Sequence, residues 1–225
     1  MADFFAIPGA LSEAEQQQLT EAALREYPQP PARSNHSRRH GPLPGLWEAA
    51  QADLRLRQDV GCACMIGSSP KDTCSCTDSC WEADGSGPPA RQLLRKLRWV
   101  TLGPQFDWTA RVYDGDVPHA PLPPQLRALA LRFAAACAEV NGSACEPGAC
   151  SPSNSQDYTC SAAGMNPTAW EPDVALVNYY REGETLGGHI DDVERDQDAP
   201  IVALSLGCPA IFLLGGALRF LCAAA

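Results

Sequence analysis

The stretch "ALVNYYREGETLGGHIDD", residues 175–192, contains the side chains with the most chemical potential in the chain. His189 and Asp191 are two apart. In an extended backbone, residues i and i+2 project from the same face. An imidazole and a carboxylate placed that way can occupy two neighbouring positions on one metal ion. With a second histidine they would complete the 2-His-1-carboxylate triad that suits non-haem Fe(II) oxygenases, with positions left open for substrate and oxygen. A His-x-Asp pair also arises by chance, and the plain alternative is a surface turn with a hydrogen-bonded histidine. Asn178 and Tyr180 share a strand face in the same way, opposite Val177 and Tyr179. An amide and a phenol offer a small acid both donors and acceptors. Their plain alternative is strand packing with Tyr180 as a satisfied core phenol.

These residues need a scaffold, and the pattern around them suggests one. Ser12 and Glu15 have capping-box spacing, which predicts a helix from there, with Leu19, Ala22, Ala23 and Tyr27 on one face. Pro28 should end it. A second helix is expected over 45–57. The run 93–103 passes from helix-like to strand-like, with Trp99 and Thr101 on one face and Val100 and Leu102 on the other. Residues 123–140 read as a helix with Leu126, Leu129, Phe133, Cys137 and Val140 as its stripe. Strands are then expected at 174–180, 187–191, 201–207 and 210–216. Helices first and a β core after them is an α+β layout. One domain over 1–225 is expected, with polar inserts at about 58–90 and 141–169.

Composition narrows the functional classes. The formal net charge is −10, so the chain as a whole is not a basic nucleic-acid binder. The charge is uneven: "RQLLRKLR", 91–98, has Arg91, Arg95, Lys96 and Arg98 with no acid, which a solvated helix face would explain. Eleven cysteines, without a secretory leader, point to thiols or metal ligands rather than disulfides. Cys62, Cys64, Cys74, Cys76 and Cys80 lack paired C-x2-C spacing, so a Cys/Ser-rich loop is preferred over a zinc module. No apolar run is long enough to span a membrane. An intracellular monomer is expected, with nucleus, cytoplasm and mitochondrion not distinguished.

"LVNYYREGETLGGHIDD" followed by "APIVALSLGCPAIFLLGG" resembles the AlkB family of Fe(II)- and 2-oxoglutarate-dependent nucleic-acid dioxygenases. Upstream, "FAIPGALSEAEQQQL", "EYPQPP" and "LLRKLRWVTLG" are similar to the eukaryotic AlkB homologue 1 branch. The resemblance implies a double-stranded β-helix, or jelly-roll, core supported by N-terminal helices. It implies that His189 and Asp191 bind Fe(II) and that Asn178 and Tyr180 bind 2-oxoglutarate. It places Trp99 and Trp108 where a base would stack, although both also suit a core. The implied reaction consumes O2 and 2-oxoglutarate, releases succinate and CO2, and removes a base methyl group as formaldehyde. The implied partner is nucleic acid, either tRNA or DNA.

The family's third iron ligand is a later histidine, followed by an arginine for 2-oxoglutarate. The histidines here are His36, His40, His119 and His189, so no third iron ligand follows the motif. Arg195 and Arg219 do not stand in the family's arginine position. The later barrel strands are therefore expected to be missing from a C-terminally incomplete chain, and its own activity is in question. The alternative is a non-catalytic AlkB-like nucleic-acid-binding or interaction protein.

Overall fold

A computed structural model describes residues 4–57, 80–107, 112–114, 118–143, 170–191, 196 and 199–215. Trp108, Cys62 to Cys76 and residues 144–169 lie outside these. The chain falls into two compact units. One comprises 21–127 and 171–197, and the other 1–20, 128–170 and 198–225.

Helix α1, Glu13–Arg25, starts where the capping box predicts. Ser12 donates its backbone N–H to the Glu15 carboxylate at 2.8 Å, and Glu15 returns its own N–H to Ser12 Oγ at 3.3 Å. Each bond satisfies an amide that the helix itself leaves unpaired. The Ser12 amide, then Arg132, holds the Glu15 carboxyl down at about 2. Leu19, Ala22 and Tyr27 are buried, as their spacing requires.

The next segment departs from expectation. Instead of a helix through residue 57, α3, Leu46–Gln51, is short. Asp53 takes a left-handed φ of 57°. Leu54 N–H then bonds Ala49 O at 2.9 Å, and Asp53 N–H bonds Ala50 O at 3.4 Å. This pair of bonds is a Schellman stop made without glycine. The chain runs on into β2, Arg55–Leu56, which pairs antiparallel with β3, Trp81–Glu82. Residues 80–90, read from sequence as part of a polar insert, therefore contribute Trp81 and Ala90 to a core. Trp81 is buried with Leu43, Leu46, Leu56 and Leu93, and its indole N–H bonds Pro44 O at 2.6 Å. Gly87 lies so close to Leu56 that a Cβ would stand 2.5 Å from its carbonyl oxygen.

The sheet that carries the candidate site is antiparallel, in the order β1–β4–β7. Its strands are β1, Arg33–Ser34, β4, Trp99–Leu102, and β7, Ala175–Asn178. Val100 and Leu102 point inward and are 0% and 2% exposed. Around them pack Ala22, Tyr27, Leu97, Leu126, Ala175 and Val177. Gly103, at φ 90°, has Asp173 O 2.1 Å from where a Cβ would stand, so β4 leaves the sheet where β7 enters it. Two further short helices precede β4 in sequence: α2, Ser37–His40, and α4, Ala90–Arg95. A hairpin of β5, Gln105–Asp107, and β6, Val112–Asp114, follows, and then α5, Pro124–Ser143.

The architecture is α+β with antiparallel sheets. Of the four strands expected after residue 170, β7 forms. Residues 187–191, 201–207 and 210–215 form no strand and join no ladder among the described residues. Their apolar side chains face solvent: Ile190 and Ile211 are both 83% exposed. A strand needs a partner for its backbone amides and cover for one face, and the described residues supply neither here. Among the described residues, no helix is long and apolar enough to cross a membrane.

Candidate metal and co-substrate site

The alternation in β7 is as the sequence predicts. Val177 and Tyr179 turn toward the core, while Asn178 and Tyr180 are exposed. The satisfied phenol is Tyr179 and not Tyr180: the Tyr179 hydroxyl donates to Ala23 O, and burial pushes its pKa well above the usual tyrosine value. Tyr180 is 53% exposed. Neither the Asn178 amide nor the Tyr180 hydroxyl has a hydrogen-bond partner among the described residues, so both are available to a ligand.

Asn178 lies directly across the ladder from Trp99. Directly opposed residues in an antiparallel pair share a sheet face. The half-buried Trp99 therefore stands beside Asn178 on the outer face, with Thr101 and Leu176 next along it. The tryptophan expected to stack on a base is thus a residue of the central strand. The second tryptophan expected in that role, Trp108, lies outside the described residues.

A turn links β7 to the His-x-Asp pair. Gly183 takes a φ of 79°, and Glu184 N–H bonds Arg181 O at 2.9 Å. The Glu184 carboxylate reaches back to the Arg181 amide at 3.0 Å. It also pairs with Arg98 at 2.7 Å, one residue before β4. This clamp ties the segment after the strand to the strand's neighbour. Its two halves are far apart in sequence, and nothing local pairs them.

His189 and Asp191 come together although no strand forms around them. His189 Nε2 lies 3.5 Å from Asp191 Oδ1. Its other ring nitrogen, Nδ1, is 2.9 Å from Gly187 O. A carbonyl oxygen only accepts, so Nδ1 carries the proton, and in the neutral ring Nε2 keeps a lone pair that can ligate a metal. Such an outer hydrogen bond is the usual means of orienting a metal-binding imidazole. Two donors on one ion, at bonds of about 2.1 Å and a right angle, stand about 3 Å apart. The pair is close to that spacing, and its nitrogen-plus-carboxylate chemistry fits Fe(II). Among the described residues, no set of three His, Cys, Asp or Glu side chains gathers to hold a metal. His36, another candidate imidazole, is buried with Nε2 2.8 Å from Leu93 O.

Residues 70–220 match the family described as the 2OG-Fe(II) oxygenase superfamily. The chain is 38% identical over 215 residues to the DNA N(6)-methyladenine demethylase ALKBH1A of Arabidopsis thaliana, covering 95% of this chain and 53% of that protein. It is 35% identical over 129 residues to the nucleic acid dioxygenase ALKBH1 of Homo sapiens, covering 57% of this chain and 26% of that protein. It is 30% identical over 125 residues to the tRNA demethylase abh1 of Schizosaccharomyces pombe, covering 56% and 32% respectively. The chain thus spans about half the length of the plant relative, and less of the other two. The superfamily match includes Asn178, Tyr180, His189 and Asp191, and the chain belongs to the 2OG-Fe(II) oxygenase superfamily and, within it, to the ALKBH1 branch of the AlkB family.

Proposed function

We propose that the chain carries the iron and co-substrate half of an Fe(II)- and 2-oxoglutarate-dependent dioxygenase that removes methyl groups from nucleic-acid bases. The observation that carries this reading is the His189–Asp191 pair, with Nε2 freed toward Asp191 by the bond from Nδ1 to Gly187 O. The superfamily match and the demethylase names of the relatives support it. We further propose that the family's double-stranded β-helix is the core to which β4 and β7 contribute.

In this reading His189 Nε2 and an Asp191 oxygen hold Fe(II). When bound, Fe(II) with 2-oxoglutarate and O2 supplies the oxidising power that the side chains lack. The chain's own residues do the rest. The Asn178 amide and the Tyr180 hydroxyl hydrogen-bond the carboxylates of 2-oxoglutarate and fix its orientation. Trp99 offers a flat apolar surface beside Asn178, suited to a base drawn out of its stack. The Glu184–Arg98 clamp keeps the metal-binding segment near that face. DNA and tRNA are both open as substrates, since the relatives' names divide between them.

A second reading, a nucleic-acid-binding chain without turnover, is favoured by one observation. Among the described residues, His189 and Asp191 come together as two metal donors, and no third His, Cys, Asp or Glu joins them. Anaerobic titration with Fe(II) and 2-oxoglutarate separates the two. The first reading expects a visible charge-transfer band that His189→Ala abolishes, and succinate and formaldehyde release with methylated RNA or DNA. Absence of both the band and the succinate would reject it in favour of the second.

A further inference from the structure

Two acid-free stretches of this acidic chain meet in space. No Asp or Glu occurs in 27–47 or in 85–106, although the net charge is −10. The first contains α2 and the second α4. Asn35 and His36, just before α2, join them. The Asn35 amide donates to Lys96 O at 2.8 Å and accepts from the Arg98 backbone N–H at 2.8 Å. The His36 ring bonds Leu93 O at 2.8 Å.

Six of the described arginines are paired with acids, Arg91 and Arg98 of this corner among them. Arg25, Arg57, Arg91, Arg98, Arg127 and Arg132 each face a carboxylate: Glu48, Glu82, Asp53, Glu184, Glu171 and Glu15 in turn. Arg38 and Arg39 on α2, and Arg95 and Lys96 at the end of α4, are exposed and have no acid partner among the described residues. The local field is felt by the histidines between them. Burial pushes His36 below its ordinary value, and Lys96 adds to it. Burial does the same to His40, helped by His36 and Arg39. Arg95 also lines a depression of about 410 Å³ with Ala50, Gln51, Arg91 and Leu94.

We propose that the α2–α4 corner is a docking surface for the phosphate backbone of a nucleic acid, with Arg38, Arg39, Arg95 and Lys96 as its contacts. A solvated face would explain any one of these cations. It does not explain why four cations without an acid partner collect where two acid-free segments are hydrogen-bonded together. Arg33, in β1, extends the surface: it pairs with Thr101, which puts it on the sheet face that holds Trp99 and Asn178. The choice of nucleic acid over other polyanions rests on the proposed demethylation of bases.

The test is binding of an unmethylated duplex oligonucleotide to the 225-residue chain in EDTA, followed by fluorescence anisotropy across a salt series. Without metal the measurement does not depend on turnover, so succinate release can fail while this surface stands, and the reverse. Four lost phosphate contacts should flatten the slope of log Kd against log salt by about 3 to 4 in the R38Q/R39Q/R95Q/K96Q variant. Binding at low salt should weaken at least roughly tenfold. The R25Q/R57Q/R127Q/R132Q variant, with the same charge change at paired arginines, should keep the slope to within about one contact. If the first variant is poorly folded, R38K/R39K/R95K should retain the wild-type slope. Equal losses in both glutamine variants, no salt-dependent binding by the wild type, or loss of binding to phosphatidylserine vesicles in place of the oligonucleotide would each overturn the proposal.

Discussion

β7 and the segment from Ile201 to Gly215 have the same kind of sequence and end in opposite states. In β7, Val177 pairs with Val100 and Ala175 with Leu102, and the inward side chains are packed. In the later segment, Ile201 is 63% exposed, Ile211 83% and Leu213 79%, and no ladder forms among the described residues. Both have the apolar content of strands. β7 differs in having β4 beside it, and Gly103 and Tyr179 to fix where it lies. Alternation states what a segment could bury, and a neighbouring strand decides whether it does.

The largest effect is expected where that neighbour is secured. Gly103→Val would force a side chain into Asp173 O at a positive φ, and should cost about 3 kcal/mol or more in urea unfolding. A cost below about 1 kcal/mol would show that β4 and β7 are not locked there. Adjacent tyrosines sharpen the contrast within β7. Tyr179→Phe removes the bond to Ala23 O and should cost about 1 kcal/mol, measured in the same way. Tyr180→Phe should stay within about 0.5 kcal/mol in stability while weakening 2-oxoglutarate binding severalfold by calorimetry. Glu184→Gln breaks a partly exposed ion pair and should cost no more than about 1 kcal/mol, with faster proteolytic nicking of the following segment. Ile211→Lys should change stability by less than about 0.5 kcal/mol and reduce self-association in light scattering. A penalty of several kcal/mol there would mean that the segment is covered after all.

Features governed by nearby residues were legible in the sequence. The capping box announced α1, and period-two alternation announced β4, β7 and the exposed Asn178–Tyr180 pair. The His189–Asp191 contact was legible too, though it forms without the strand that suggested it. Features set by distant partners were not. Asp53 stops α3 in a left-handed conformation that Asp does not require, supported by Arg91 from another helix. Trp81 sat at the edge of a polar segment, and its place in the core depends on Leu56, Pro44 and two close glycines. Glu184 gave no sign of Arg98, since a charge pair has no spacing rule when its halves lie on different elements.

The close approach at Gly103 has a consequence for how the chain can vary. Leu102 and Ala175 are held opposite one another whatever runs between them, because backbone meets backbone at that point. Closing a longer flexible loop costs only about 0.6 kcal/mol for each doubling of its length. A change of length between 104 and 172 that spares β5, β6 and α5, whose Leu126 packs against β4, therefore need not shift Asn178 in its register. In this sense the fold separates a fixed chassis, which sets the face of the site, from a stretch of chain whose length is free to drift.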